Sequence, residues 1–291
     1  MGLEESAIVN SLEIELLGGL GNQLFGYATI FAVAQRANLD FVLDISHLEH
    51  RGFQLQTLGV VAPTKNRKSQ PKTNSSLKRL FNKVFTSDST SPQIVLVENE
   101  KEVDDRVFLV DSPGLLRGYF QSWKYFDDYR DQIRSSINLD FEIDSVGQRI
   151  LESFQGEKWV AVHIRRGDYL ELQDIYPLTS GKYYERAKRI METENEKYKF
   201  VVFTDDENEA ERVFPDYHLM VGPRMLSAAP ELLKLMSRAD GIIGSNSSLS
   251  WWASYLNKTN AKTFIFPRPW ALKNHKELSD LLCPNWISVG I

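Results

Sequence analysis

The sequence contains almost no cysteine, no long apolar run and no signal-like amino terminus. Among its 291 residues, Cys283 is the single cysteine, which excludes an intramolecular disulfide framework and a cysteine-based zinc site and favours a reducing compartment. No apolar stretch approaches the roughly 20 residues needed to span a bilayer. Residues 1–11 are polar and acidic where a secretory signal would be basic and then apolar. We therefore predict a cytoplasmic protein.

An excess of positive charge is also absent. The net charge of -5 argues against nucleic acid as a partner, because nucleic-acid-binding domains usually carry a basic footprint. With 42% hydrophobic and 25% charged residues, the chain has the composition of a globular protein with one large or two ordinary domains.

The most informative segment is an apolar run at residues 159–162 that leads into the heptapeptide HIRRGDY at residues 163–169. This pattern predicts a buried strand that ends in a charged loop. The planar guanidinium fork of arginine matches phosphate oxygens, so the loop is a candidate anion site. A salt-bridge cluster that merely closes the strand end is the structural alternative.

The second half of the chain alternates regularly between the two secondary-structure periods. We predict strands at 159–164, 200–204, 217–221, 241–243 and 263–266, and helices at 182–194, 207–214, 230–238 and 249–256. Such alternation is typical of a parallel, doubly wound sheet that binds ligands at the carboxyl ends of its strands. Residues 163–168, 204–206 and 244–248 each lie at the carboxyl end of a predicted strand, and together they predict a nucleotide site.

The first half begins with a βαβ unit, with strands at 12–17 and 41–45 and a helix at 24–37. The glycine-rich turn between them does not fit the dinucleotide fingerprint, because Leu24 occupies the position of the third glycine. Gly19, Gly21 and Asn22 still leave a helix amino terminus open to a phosphate or a sugar. A tight turn that merely requires glycine is equally compatible. Further strands are predicted at 94–97, 107–110 and 115–120, and helices at 123–136 and 145–154.

The heptapeptide HIRRGDY resembles the signature of the α1,2-fucosyltransferases, which share an Arg-Arg motif with α1,6- and protein O-fucosyltransferases. Further blocks agree in family order: GGLGNQLFGYA at 18–28, GYFQS at 118–122, FTDD at 203–206, SSLSWW at 247–252 and FPRPW at 266–270. The resemblance implies a GT-B-like α/β fold with two Rossmann-like domains facing a central cleft. We place the acceptor-side domain at residues 1–152 and the donor-binding domain at 153–291.

The resemblance also implies the reaction. It predicts an inverting transfer of L-fucose from GDP-β-L-fucose to the 2-hydroxyl of a terminal β-galactoside, in surface glycan synthesis. Two alternatives stay open: a fucosyltransferase of another linkage, α1,6 or protein O-linked, and a non-catalytic protein that binds a nucleotide sugar. A Rossmann oxidoreductase is disfavoured by Leu24.

Roles for the strand-end residues follow from the chemistry and from the resemblance. Negative charge grows on the leaving diphosphate, and the resemblance assigns Arg165 as the clamp that meets it. Arg166 either shares the phosphate or braces the loop. Ser247 and Ser248 precede a helix and are assigned to phosphate contact as well as capping.

Two further roles are implied by the resemblance rather than by the pattern alone, and a third follows from the proton transfer that inversion requires. Asp205 would accept a hydrogen bond from the guanine amino edge, and His163 would bond the base or the ribose. Asp168 is the candidate base for the acceptor hydroxyl, ahead of Glu171 and Asp174, although it could equally pin the arginine loop.

No metal or other cofactor is expected beside the co-substrate GDP-fucose. The chain has no Asp-x-Asp pair, adjacent Asp205 and Asp206 point to different faces of an extended segment, and His47 with His50 lacks a third ligand.

A basic stretch at residues 64–86 contains seven lysines and arginines without one acid. Within it, apolar residues at helical spacing predict a short amphipathic helix at 75–85. It could contact an anionic inner-membrane surface that carries a lipid-linked acceptor, line an acceptor cleft, or simply pack on its domain.

Overall fold

The computed structural model describes residues 11–48, 51–66, 95–192, 197–259, 263–273 and 277–291. The amphipathic helix predicted at 75–85 lies outside these residues, and its membrane contact stays a prediction. The described residues form two α/β halves, each built on a sheet of parallel strands.

The first half is built on a five-stranded sheet in the order β3-β2-β1-β5-β4. Its elements are β1 (Leu12–Glu15), α1 (Leu20–Ala37), β2 (Phe41–Asp44), β3 (Thr64–Lys65), β4 (Val95–Val97), β5 (Leu115–Arg117), α2 (Arg130–Ser136) and α3 (Ser145–Ser153). The parallel β1-α1-β2 unit places the glycine-rich turn at the carboxyl end of β1, where parallel sheets bind ligands.

The second half is built on a six-stranded sheet in the order β11-β10-β9-β6-β7-β8. Its elements are β6 (Trp159–Ile164), α4 (Gly181–Met191), β7 (Lys199–Thr204), α5 (Glu207–Val213), β8 (Leu219–Val221), α6 (Ala229–Met236), β9 (Gly241–Ile243), α7 (Ser248–Tyr255), β10 (Thr263–Arg268), α8 (Leu278–Leu281) and β11 (Ile287–Gly290). Because β6 pairs with both β7 and β9, the three predicted polar strand ends lie side by side at one edge.

The two halves share a hydrophobic core, and a second hydrophobic cluster lies within the second half alone. Phe25 of α1 packs against Trp251 and Trp252 of α7, with ring centroids 4.6 and 5.3 Å apart, and Phe126 stacks on Trp252 at 5.6 Å. Both tryptophans are fully buried, as expected for an aromatic pair in a short helix of an α/β fold. This aromatic cluster fixes the amino terminus of α1 beside that of α7.

Two predictions in the first half are wrong. Residues 107–110 are not a strand, since Asp105–Leu109 forms a 3-10 helix whose preceding residue, Asp104, accepts hydrogen bonds from the backbone and side chain of Arg106. The helix predicted at 123–136 is broken into two 3-10 turns, Trp123–Tyr125 and Asp127–Tyr129, before α2. In both places a local polar contact or a tight turn overrides the apolar pattern.

The predicted boundary between residues 152 and 153 falls in the last turn of α3, between β5 of the first sheet and β6 of the second. It stays a prediction. In the ranges that the structure describes, no helix combines the length and apolar character required to cross a membrane.

Candidate active site

A cleft of about 310 Å³ lies between the two halves, where the glycine-rich turn faces the strand ends of the second sheet. It is lined by most of the predicted site residues, namely Gly19, Gly21, Asn22, His163, Arg165, Ser247 and Ser248. The residues predicted from two distant parts of the chain are therefore brought together.

Two helix amino termini meet at this cleft. Gly18 turns the chain with a φ of 68°, and Gly19 then precedes α1 without any side-chain cap. Gly21 packs so closely on α7 that a Cβ there would lie 2.5 Å from Ser248 Oγ. Since the amino end of a helix carries partial positive charge and free amides, this junction favours a negatively charged ligand.

Ser247 caps the amino terminus of α7. Its Oγ accepts a hydrogen bond from the Leu249 amide at 3.3 Å, while the residue borders the cleft. The predicted capping role is thus present. The predicted phosphate contact is compatible with it, because this long hydrogen bond can be exchanged for one to a ligand.

Arg165 supplies positive charge from the arginine loop. Its Nη1 lies 2.6 Å from Oδ2 of Asp205, and its guanidinium lies over the Tyr169 ring at 5.8 Å. The side chain is 28% exposed and borders the cleft. Two neighbours therefore hold a partly exposed guanidinium that can still reach a ligand.

Asp205 does not border the cleft but holds the arginine loop from behind. Its Oδ1 accepts a hydrogen bond from the Arg166 amide at 2.7 Å, in addition to the ion pair with Arg165. Gly167 makes room for this carboxylate, because a Cβ there would lie 2.5 Å from Asp205 Oδ2. These contacts support a positioning role and leave the predicted guanine contact as a prediction.

Arg166 points into the second half rather than into the cleft. Its side chain is 1% exposed, and its guanidinium donates to the carbonyl oxygens of Arg165 at 3.0 Å and Thr179 at 2.6 Å. Its Nε also lies 3.6 Å from a carboxylate oxygen of Glu209. Of the two roles open to Arg166, the geometry supports the bracing of the loop.

His163 borders the cleft in a neutral form. Burial, together with the nearby charge of Arg165, lowers the pKa of this imidazole to about 3. Its Nδ1 lies 3.3 Å from Ser245 Oγ. A neutral ring can donate one hydrogen bond and accept another, which suits contact with a base or a ribose rather than with a phosphate.

Several residues that border the cleft received no role from the sequence. Gln121 donates to Asn22 Oδ1 at 2.8 Å within the first half, and Tyr169 donates to the Asn246 carbonyl at 2.8 Å within the second. Gln121 and Tyr169 fall inside blocks that carry the family resemblance, so that signal was available. Arg51 also borders the cleft, and no pattern in the sequence singled it out.

The candidate bases are less well placed. Asp168 belongs to the 3-10 turn Gly167–Leu170, but its side chain is outside what the structure describes. Asp174 borders a neighbouring cavity rather than the cleft, and Glu171 borders neither the cleft nor that cavity. Among the described residues, no group of three or more His, Cys, Asp or Glu side chains could hold a metal ion.

Comparison with known proteins gives consistent matches. The chain matches the profile of Glycosyl transferase family 11 over residues 5–290. It is 28% identical to the O-antigen biosynthesis glycosyltransferase WbnK of Escherichia coli, covering 94% of this chain and 99% of that protein. It is 26% identical to an alpha-1,2-colitosyltransferase of Escherichia coli, with 94% and 97% covered. It is also 26% identical to galactoside alpha-(1,2)-fucosyltransferase 1 of Alouatta belzebul, with 94% and 73% covered.

A solved structure shows the same fold. Arabidopsis thaliana FUT1, in a variant form in complex with GDP, superposes with a TM-score of 0.51 at 13% identity, covering 88% of this chain and 73% of that one. The expected fold, two parallel-sheet α/β domains of the GT-B type, is thereby confirmed.

Proposed function

Because this chain belongs to glycosyltransferase family 11, we propose that it is a metal-independent, inverting transferase that moves L-fucose from GDP-fucose to the 2-hydroxyl of a terminal β-galactoside. The glycan would be part of a surface polysaccharide. The relative named as an O-antigen biosynthesis glycosyltransferase and the two named for α1,2 transfer support this proposal.

The observation that carries the proposal is the position of Arg165. Its guanidinium borders the same cleft as the amino termini of α1 and α7. When the glycosidic bond breaks, negative charge grows on the diphosphate of the departing GDP. Donors that are already oriented towards that charge stabilise the transition state more than the ground state.

The proposal that no metal is needed rests on this donor set. A guanidinium and two sets of helix amides could supply the positive charge that a divalent cation supplies in enzymes with an Asp-x-Asp pair. The sequence has no such pair. Asp168 remains the proposed base for the acceptor hydroxyl, with Asp174 as the alternative, because each belongs to the segment that follows the arginines.

The test is release of GDP from GDP-fucose by the purified protein, with and without lactose, each repeated in excess EDTA. We expect release that requires lactose and is unchanged by EDTA. Loss of release in EDTA would contradict metal independence. GDP binding without turnover of any β-galactoside would favour the non-catalytic alternative, and an NMR analysis of the product linkage would separate α1,2 from α1,6 transfer.

A second donor is favoured by the 26% identity to the alpha-1,2-colitosyltransferase. Colitose is fucose without its 3-hydroxyl, so a site for one sugar resembles a site for the other. A side-by-side assay with GDP-fucose and GDP-colitose would decide. A site that hydrogen-bonds the 3-hydroxyl would reject the deoxy sugar strongly, since its polar groups would be left unpaired.

The place of the reaction also belongs to the proposal. We propose that the protein acts in the cytoplasm, on an acceptor that could be lipid-linked at the inner face of the membrane. The part of this idea that depends on residues 75–85 is tested by sedimentation with liposomes that contain anionic lipids.

A further inference from the structure

A second cavity, of about 510 Å³, opens beside the donor cleft. The two share four lining residues: Tyr119, Gln121, Tyr176 and Trp270. The second cavity is therefore adjacent to the first, and its volume is large enough for one or two sugar rings. A molecule bound in it would be next to the donor.

The shared wall is aromatic. Tyr119 is 40% exposed and borders both cavities. Tyr176 stacks on Tyr169 with ring centroids 4.8 Å apart, which ties this wall to the arginine loop. Exposed aromatic rings with a polar edge suit the mixed apolar and hydroxylated faces of a sugar.

The rest of the lining has an excess of acidic residues. Besides Ile175, Ala271 and Leu281, it contains Glu98, Glu100 and Asp174 against one lysine, Lys273. Glu98 is held rigidly, since it is 6% exposed and accepts hydrogen bonds from the Phe120 amide at 2.6 Å and from the Tyr125 hydroxyl at 3.1 Å. The cavity thus carries an excess of negative charge inside a walled space, where that charge acts more strongly than on an open surface.

We propose that this cavity binds the acceptor glycan and that its carboxylates select an uncharged sugar against an anionic one. The inference rests on the proposed function and adds the location and the charge class of the acceptor. Neutral hydroxyls can donate to the carboxylates, whereas a uronic acid, a sialic acid or a phosphorylated sugar would be repelled.

The test compares two acceptors that differ only at C6, methyl β-D-galactoside and methyl β-D-galactosiduronate. Their affinities for the full-length protein saturated with GDP are measured at pH 7 by ligand-detected NMR titration, so that the result does not depend on turnover. We expect the anionic glycoside to bind roughly tenfold more weakly at low salt, which corresponds to a few partly screened charges within about 10 Å. The ratio should shrink in 0.5 M sodium chloride.

Single substitutions test whether the acidic residues of the cavity cause the difference in affinity. Glu100→Gln and Asp174→Asn are each expected to reduce the ratio of the two affinities by about twofold to threefold, because each removes one negative charge from the wall. Glu211→Gln, an equal charge change at an exposed position on α5 that does not border the cavity, is the matched control and should leave the ratio unchanged. Tyr119→Ala should weaken both glycosides about tenfold, while Tyr119→Phe should retain most of their binding.

Equal affinity for the two glycosides at low salt would overturn the proposed selection, as would an effect of Glu211→Gln equal to that of the cavity variants. If neither glycoside binds at millimolar concentration, the cavity is not the acceptor site. If the neutral glycoside binds with the predicted pattern but is never fucosylated, the acceptor site stands and the proposed function fails.

Discussion

Arg165, which borders the cleft between the two halves, forms an ion pair with Asp205, in which Nη1 of the arginine lies 2.6 Å from Oδ2 of the aspartate. The other oxygen of the same carboxylate accepts the hydrogen bond of the Arg166 amide at 2.7 Å. One carboxylate at the end of β7 therefore fixes both the backbone and the charged end of the arginine loop, which follows β6. The pairing of the two strands makes this contact possible.

Asp205→Asn is expected to lower kcat/KM by about 10-fold to 100-fold, because the guanidinium of Arg165 loses its charged partner and its fixed orientation. The measurement is acceptor-dependent GDP release under conditions below KM. Asp216→Asn is the matched control. It is the same substitution in an ion pair away from the cleft, in which Oδ2 of Asp216 lies 2.8 Å from Nζ of Lys188. Equal activity of Asp205→Asn and the control would contradict the positioning role.

Substitution of the two adjacent arginines should have different effects, on turnover for Arg165 and on the free energy of unfolding for Arg166. Arg165→Ala is expected to reduce turnover about 100-fold or more with little change in the unfolding midpoint, because the side chain is 28% exposed. Arg166→Ala should instead lower the free energy of unfolding by about 2 to 4 kcal/mol, since it removes a buried guanidinium and leaves the carbonyl oxygen of Thr179 without its donor.

Thermal unfolding and GDP release, measured on both variants, check this contrast. If Arg166→Ala does not fold, Arg166→Lys is used instead, because lysine keeps the charge but lacks the planar guanidinium. It should also lower the free energy of unfolding, by a smaller amount than Arg166→Ala. Near-native turnover of Arg165→Ala would remove Arg165 from its role as the clamp.

The grouping of polar residues at one edge of the second sheet could be predicted from the sequence, because short local patterns indicate where each strand ends. An apolar run followed by charged residues marks the end of β6, and the regular alternation of strands and helices implies parallel neighbours. The contact between Asp205 and the Arg166 amide joins residues 39 positions apart. No local pattern shows that this carboxylate holds the arginine loop, and its expected contact with guanine stays a prediction.

The first half was less predictable for a related reason. Val107 and its neighbours look like a strand, but the Asp104 carboxylate satisfies the Arg106 amide and stabilises a 3-10 turn instead. Likewise, the cavity of about 510 Å³ combines Tyr119, Asp174 and Trp270 from three separate loops. Only the folded arrangement of the two halves shows that they surround one space.

Gly21 and Gly19 offer a test of the junction between α1 and α7. Alanine usually stabilises a helix relative to glycine by about 1 kcal/mol. At Gly21, however, the new Cβ would lie 2.5 Å from the Ser248 carbonyl carbon and 2.7 Å from the Leu249 amide nitrogen. Gly21→Ala should therefore destabilise the protein by about 1 to 3 kcal/mol and weaken GDP binding, as the two helix ends are forced apart.

Gly19→Ala is the matched change in the same turn, because no atom lies within 4 Å of the added Cβ. It should therefore change the unfolding midpoint much less than Gly21→Ala, by no more than the modest cost of alanine at a helix N-cap. Weaker GDP binding with nearly unchanged stability would support the prediction that the donor approaches the backbone at Gly19. Unchanged GDP affinity in Gly19→Ala would instead limit the role of the turn to its packing.

His163 should make stability depend on pH below neutrality. Burial lowers the pKa of its imidazole from 6.5 to about 3, so between these values the unfolded chain binds a proton that the folded protein does not. Stability from this group is therefore complete above pH 6.5 and is lost as the pH falls towards 3, by at most about 1.4 kcal/mol per pH unit. Between pH 7 and pH 5, His163 should account for a loss of about 2 kcal/mol.

Urea unfolding of the wild type and of His163→Gln at both pH values measures this contribution. Glutamine keeps a neutral polar side chain but cannot take up the proton, so the variant should lose less stability between pH 7 and pH 5, whatever its stability at pH 7. The acidic residues titrate in both proteins, and their effects cancel in the difference. An identical loss in the two proteins would mean that His163 is protonated as readily in the folded state as in the unfolded chain, and the cleft would then carry a cationic imidazole beside Arg165.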